Sequence, residues 1–189
     1  LWSLRAIPGL KVFRPADGTE VAMSWAWALD NRESPVAISL TRQNVDPIPR
    51  VDEDRNKILR GAYVLAGYDE GAITFLASGS EVPLAVAAAD ELKEKGIASR
   101  VVSAPCLELF DEQAESYQNE VLGEDRSRIV AIEAGATLGW YRYVSRDALV
   151  IGIDDFGHSA PYKVIAEKLG FTPESVVERV MEWRGRGER

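Results

Sequence analysis

The sequence predicts an α/β fold: a three-layer α/β/α sandwich on a mostly parallel sheet with one antiparallel edge strand, preceded by a βαβ remnant of a second α/β domain. Three observations carry this. From residue 72 onward, apolar runs of strand length alternate with segments of helical period. Residues 61–67 (GAYVLAG) and 72–78 (AITFLAS) are neighbouring apolar runs joined by Tyr68-Asp69-Glu70-Gly71, which reads as a hairpin. Residues 11–40 spell one strand, one helix and a second strand, too little for a sheet of their own.

Taken in order, KVF at 11–13 is a short strand, followed by RPADGTE. Asp17 and Glu20 have the spacing of a capping box. The helix they open, about 18–31, places Val21, Ala22, Trp25, Ala28 and Leu29 on one stripe, with Trp27 off it and facing another segment or a missing partner. Residues 35–40 (PVAISL) form the second strand. Residues 44–60 hold prolines, many charges and no period, so the boundary falls there. The division is 1–45 for the remnant, 46–60 for the linker and 61–189 for an intact second domain.

In that domain Ser78 and Glu81 have capping-box spacing, and Pro83 fits only a first helical turn. Lys93, Lys95 and Gly96 close the helix. Strand 98–103, an acidic helical region to about 122, strand 128–133, a glycine-containing loop, strand 148–153 and helix 160–169 ending at Gly170 follow. Thr172 caps a last helix with Pro173 in its first position.

Composition narrows the function classes. The net charge of −8 argues against nonspecific nucleic-acid binding, which needs a basic face. The most acidic stretch, 106–125, has seven acids and no Lys or Arg, and reads as a solvated helical face. A single cysteine, Cys106, rules out an internal disulfide and fits a reducing compartment. No apolar run approaches the roughly 20 residues that span a bilayer. These features predict a soluble, cytoplasmic protein with no membrane or nucleic-acid partner. The chain begins at Leu1 without methionine, inside what reads as an element already, so it is expected to be a fragment.

The candidate chemistry is sparse. One histidine, His158, stands without a ligand cluster, so neither a metal site nor a catalytic role is assigned to it. Cys106 reads as a small buried hydrophobe. SGSEV at 78–82 resembles an anion-binding turn, yet Glu81 already occupies its positive end, which favours a structural cap. Glu133 ends a strand at a glycine loop, where it either serves function or pairs with a neighbouring element.

Arg42 stands apart. It follows strand 35–40 at the end where open α/β sheets place their ligand crevice. Its planar fork of donors suits a phosphate or carboxylate, with Gln43 and Asn44 placed to orient it or to add donors. An interdomain salt bridge is the equal alternative.

LWSLRAIPGLKVFRPADGTE, LTRQN, SGSEV, RVVS, LELFD, IEAG, IGID and GFTPE occur in order along nearly the whole chain, and together they resemble the C-terminal half of transketolases. The resemblance implies that residues 1–45 end the pyrimidine-binding domain and that 61–189 form the transketolase C-terminal domain. It implies transfer of a two-carbon ketol unit between sugar phosphates, with thiamine diphosphate and a Mg or Ca ion, in a homodimeric full-length parent of the pentose phosphate pathway or a carbon-fixing cycle. The family's SRQN arginine grips the substrate phosphate; Arg42 in LTRQN matches it, with Thr41 in place of the common serine. The segments that hold cofactor and metal, the activating glutamate and the substrate histidines have no match here. The fragment alone is therefore expected to be inactive, with no cofactor or metal bound and no catalytic residue assigned. Two other readings compete: a non-catalytic α/β assembly or regulatory module, and the C-terminal domain of a related enzyme such as deoxyxylulose-phosphate synthase or a 2-oxo-acid dehydrogenase β subunit.

Overall fold

A computed structural model describes residues 1–50, 54–67 and 73–187. Its elements in chain order are α1 (Trp2–Arg5), β1 (Lys11–Phe13), α2 (Gly18–Asp30), β2 (Val36–Ile38), α3 (Asp54–Ile58), β3 (Tyr63–Ala66), β4 (Ile73–Ala77), α4 (Glu81–Glu94), β5 (Ser99–Ser103), α5 (Leu107–Asp111), α6 (Glu115–Leu122), β6 (Ile129–Ile132), β7 (Leu149–Ile151), α7 (Tyr162–Leu169) and α8 (Pro173–Gly187). Short 3-10 turns at Arg126–Arg128 and Leu138–Arg142 flank β6.

The main sheet has the order β3-β5-β4-β6-β7, parallel except for the edge strand β3. Alternation along its strands divides the core. Phe75, Ala77, Val101, Val130 and Ile132 pack with α4 and α8; Leu76, Val102, Ile129 and Ala131 pack with α5, α6 and Trp140. Both faces are covered, which makes three layers as the sequence predicts. β1 and β2 pair in parallel as a separate two-stranded sheet, with Lys11 opposite Val36 and Phe13 opposite Ile38.

The expected hairpin is not formed. β3 pairs antiparallel with β5, Tyr63 opposite Ser103, and β4 lies two strands away at the centre. The burial patterns explain why. All five residues of β4 are buried, as a strand covered on both faces must be, whereas β3 alternates between buried and half-buried residues. The turn proposed at 68–71 lies outside the described residues.

The helix α2 also faces differently from the expectation. Its cap forms as predicted, with Asp17 Oδ1 accepting from the Glu20 amide at 3.1 Å. Its buried positions, however, are Glu20 and Ser24, while Trp25 and Leu29 are 53% and 72% exposed. Trp27, off the apolar stripe, packs against Phe13 with ring centroids 5.5 Å apart and the planes tilted by 47°. A polar cluster, not the hydrophobic stripe, sets the rotation of this helix. At 54–60 the charged stretch contains α3, whose Ile58 is fully buried in the main core. At the other end of the domain the caps follow the sequence: Gly170 ends α7 at φ 73°, and Thr172 Oγ1 accepts from the Ser175 amide at 3.3 Å. Among the described residues no helix is long and apolar enough to cross a membrane.

Candidate functional site

β1 and β2 run in parallel, so their C-terminal ends open on the same side. The pairing extends one residue further, where Ser39 donates its amide to the Phe13 carbonyl at 2.8 Å. Beyond it Leu40 turns outward and Thr41 Oγ1 accepts from the Gln43 amide at 3.3 Å. Arg42 projects between them, exposed, and among the described residues it makes no hydrogen bond or ion pair. The salt bridge that was the alternative reading of Arg42 is therefore absent from the described residues. Gln43 and Asn44 do not orient it; they line a groove of about 420 Å³ against α4.

The crevice of the main sheet is filled. Strand order reverses between β4 and β6, the position where open α/β sheets bind ligands. There Glu133 is wholly buried and takes both guanidinium nitrogens of Arg5, each at 3.0 Å, and the Ser78 hydroxyl at 2.6 Å. Burial pushes the Glu133 carboxyl up, but Arg5, Arg14 and Ser78 outweigh it and hold it below the usual glutamate range. Arg5 is also layered on the Trp2 ring, 4.6 Å from its centroid. Next to it Arg14 crosses Gly79, bonds the Ser78 carbonyl and pairs with Glu81 at 2.5 Å. Gly79 has φ +59°, and a side chain there would overlap the Arg14 guanidinium. Glu133 thus takes the pairing reading. The Ser78–Glu81 capping box does not form: Ser78 turns to Glu133, and Glu81 reaches the Ala134 amide at 3.0 Å and Arg14.

A second buried cluster ties the segment after β2 to the same body. Arg50 donates to Asp17 at 2.5 Å, to the Ile48 carbonyl at 3.0 Å, to the Tyr63 hydroxyl at 2.8 Å and to Glu20 at 3.3 Å. Glu20 additionally receives the Ser103 hydroxyl at 2.6 Å and the Tyr63 hydroxyl at 2.9 Å. Burial nevertheless dominates for Glu20 and leaves its carboxyl above the usual range. For Asp17 burial is outweighed by Arg50 and by the Ile48 and Glu20 amides, so its carboxyl lies below it. Sequence reading identified Asp17, Glu20 and Glu133 but not their arginine partners. Arg5, Arg14 and Arg50 carry no local signal, since each acts on residues far along the chain.

The remaining candidates stay apart. His158 is exposed in the loop before α7. Cys106 is buried, and burial together with the Glu108 charge pushes its thiol far up, away from nucleophilic character. Among the described residues no group of three or more His, Cys, Asp or Glu is placed to hold a metal ion.

Comparison with known proteins accords with this arrangement. The family description "Transketolase-like TK C-terminal domain" matches residues 61–172, and "Transketolase, pyrimidine binding domain" matches 1–47. A transketolase of Aquifex aeolicus is 47% identical over 96% of this chain and 27% of its own length. One from Halalkalibacterium halodurans is 46% identical over 95% and 27%. Among solved structures, transketolase from Leishmania mexicana superposes with a TM-score of 0.88 at 38% identity, over 98% of this chain and 27% of its own. Transketolase from Pichia stipitis in complex with sedoheptulose 7-phosphate gives 0.88 at 36%, over 96% and 26%. The chain spans about a quarter of the length of the relatives it matches. On the matched profile, the identity and the shared fold, this chain belongs to the transketolase family.

Proposed function

We propose that this chain is the C-terminal part of a transketolase, in which Arg42 binds the phosphate of the sugar substrate. The parent enzyme transfers a two-carbon ketol unit from a ketose phosphate to an aldose phosphate. Residues 1–45 end the pyrimidine-binding domain, 46–60 link, and 61–189 form the C-terminal domain. The observation that carries the substrate role is the unpaired, exposed guanidinium at the C-terminal lip of the β1–β2 sheet. A fixed cation there holds a remote, non-reacting phosphate and so positions the carbons that react. Sugar phosphates bound by the Pichia stipitis relative support this substrate class.

In the full-length enzyme, Arg42→Ala should raise KM for a ketose phosphate about ten- to hundred-fold, as loss of a charge-assisted contact implies. KM for an unphosphorylated ketose should stay nearly unchanged. Equal losses for both donors would remove the phosphate role.

The described residues do not fit thiamine diphosphate or its metal. They offer no carboxylate cluster for a cation, and the arginines at the main crevice are already neutralised by Glu133 and Glu81. The cofactor, its Mg or Ca ion and the catalytic groups belong to the rest of the parent. Calorimetry of the isolated chain should find no cofactor binding; micromolar affinity would contradict the assignment. The parent is read as a homodimer; Trp25, Leu29 and Leu40 are exposed apolar side chains for the rest of that assembly to cover.

A further inference from the structure

The segment that carries Arg42 is held at two ends only. At its start Ser39 bonds Phe13; from Leu40 to Pro47 the only hydrogen bond among the described residues is the local one from Gln43 to Thr41. A groove of about 420 Å³ lies between 43–49 and Ser80 with the α4 residues Pro83, Val86 and Asp90. At its far end the anchor is strong. The Ile48 amide donates to Asp17 Oδ2 at 2.9 Å, and Arg50 binds the same oxygen together with the Ile48 carbonyl. Pro47 and Pro49 on either side of Ile48 fix φ at those two positions, which narrows the conformations open to the anchored end of the segment. The Arg50 side chain is only 4% exposed and touches two acids and a tyrosine, so its own position is determined by packing.

We infer that Arg50 is a positioning residue for substrate phosphate: by pinning Ile48 to Asp17 it sets where the Arg42 guanidinium stands. This rests on the phosphate role of Arg42. Glu20, Tyr63 and Ser103 serve as the wall against which Arg50 is held, so strands β3 and β5 of the C-terminal domain fix the geometry of a ligand they do not touch.

The test is steady-state kinetics of the full-length enzyme with a phosphorylated and an unphosphorylated ketose. Arg50→Met should raise KM for the phosphorylated donor about ten-fold or more, the scale of effect from misplacing a binding group by about an ångström. kcat, and KM for the unphosphorylated donor, should change little. Added to Arg42→Ala, Arg50→Met should have no further effect, since two residues acting through one contact are not additive. Arg50→Lys, which keeps the charge facing Asp17 and Glu20, gives a folded counterpart if the methionine variant fails; its loss should be smaller and equally selective. Equal losses for both donors, or a selective loss that persists in the Arg42→Ala background, overturn the inference while leaving Arg42 in its role. An Arg42→Ala enzyme without donor selectivity overturns both.

Discussion

Glu20 and Glu133 are both excluded from water, yet their carboxyls are driven in opposite directions. Glu133 faces Arg5 squarely and is held low; Glu20 meets its arginine at 3.3 Å, and burial wins. The consequences for stability have opposite signs. A folded Glu133 binds its proton less readily than an unfolded one, so its contribution is full above its ordinary value of 4.5 and is lost as pH falls through the lower folded value. Glu20 binds its proton more readily when folded, so its contribution is greatest below its ordinary value and declines as pH rises toward the folded one. Glu133→Gln should therefore cost about 3 kcal/mol at pH 7, leaving Arg5 buried and unpaired. It should lose less stability than the parent between pH 5 and pH 3, as read by urea unfolding at about those values. Glu20→Gln should show the reverse trend with pH. At this scale the sequence displays the acids and Arg42, because strand ends and capping spacings are local. It hides Arg5, Arg14 and Arg50: Arg5 meets Glu133 across 128 positions, and only the fold joins them.

Among the elements, α1 is the most dependent on contacts outside itself. It is four residues long, far too short to persist alone, and is held by Trp2 and Arg5. Trp2 meets Trp140 edge-on at 5.6 Å and lies over Gly139, where an added methyl would come within 2.0 Å of the indole. Gly139→Ala should displace Trp2 and cost about 1–3 kcal/mol, seen as a lower thermal midpoint with altered tryptophan fluorescence. Helix α2 teaches the converse. Its Trp25 and Leu29 are exposed while Glu20 and Ser24 are buried, so in this chain alone Leu29→Ser should change stability by no more than about 0.5 kcal/mol. Periodicity found this helix and its cap; it misread the face because a hydrophobic stripe can belong to a surface covered by another part of the protein. The hairpin failed for a related reason. Adjacency in sequence favours pairing, but a strand buried on both faces is claimed by the centre of a parallel sheet.

At the scale of the whole molecule, the first fifty residues act as a plug and a strap on the larger body. Arg5 and Arg14 enter the crevice where such a sheet ordinarily takes a ligand, Arg50 straps the segment after β2 to Tyr63 of β3, and Glu20 takes the Ser103 hydroxyl of β5. Breaking one partner of a buried pair is costly, so the two sheets should unfold together. Far-UV circular dichroism and tryptophan fluorescence should give coincident denaturation curves, whereas separate transitions would show that the contacts do not couple them. The fold class was legible from alternation and capping residues; the antiparallel edge strand was expected from a hairpin with β4, and it forms instead by pairing β3 with β5. The closed crevice was not legible, since nothing local distinguishes an arginine that fills a site from one that waits for a ligand.

That distinction is the centre of the account, and it separates Arg5 from Arg42. The most direct measurement is a crystal structure of the full-length enzyme with a ketose phosphate bound. The phosphate oxygens should lie about 3 Å from the Arg42 guanidinium, the length of a charge-assisted hydrogen bond. A phosphate bound elsewhere, or Arg42 paired with an acid from another part of the enzyme, would contradict it.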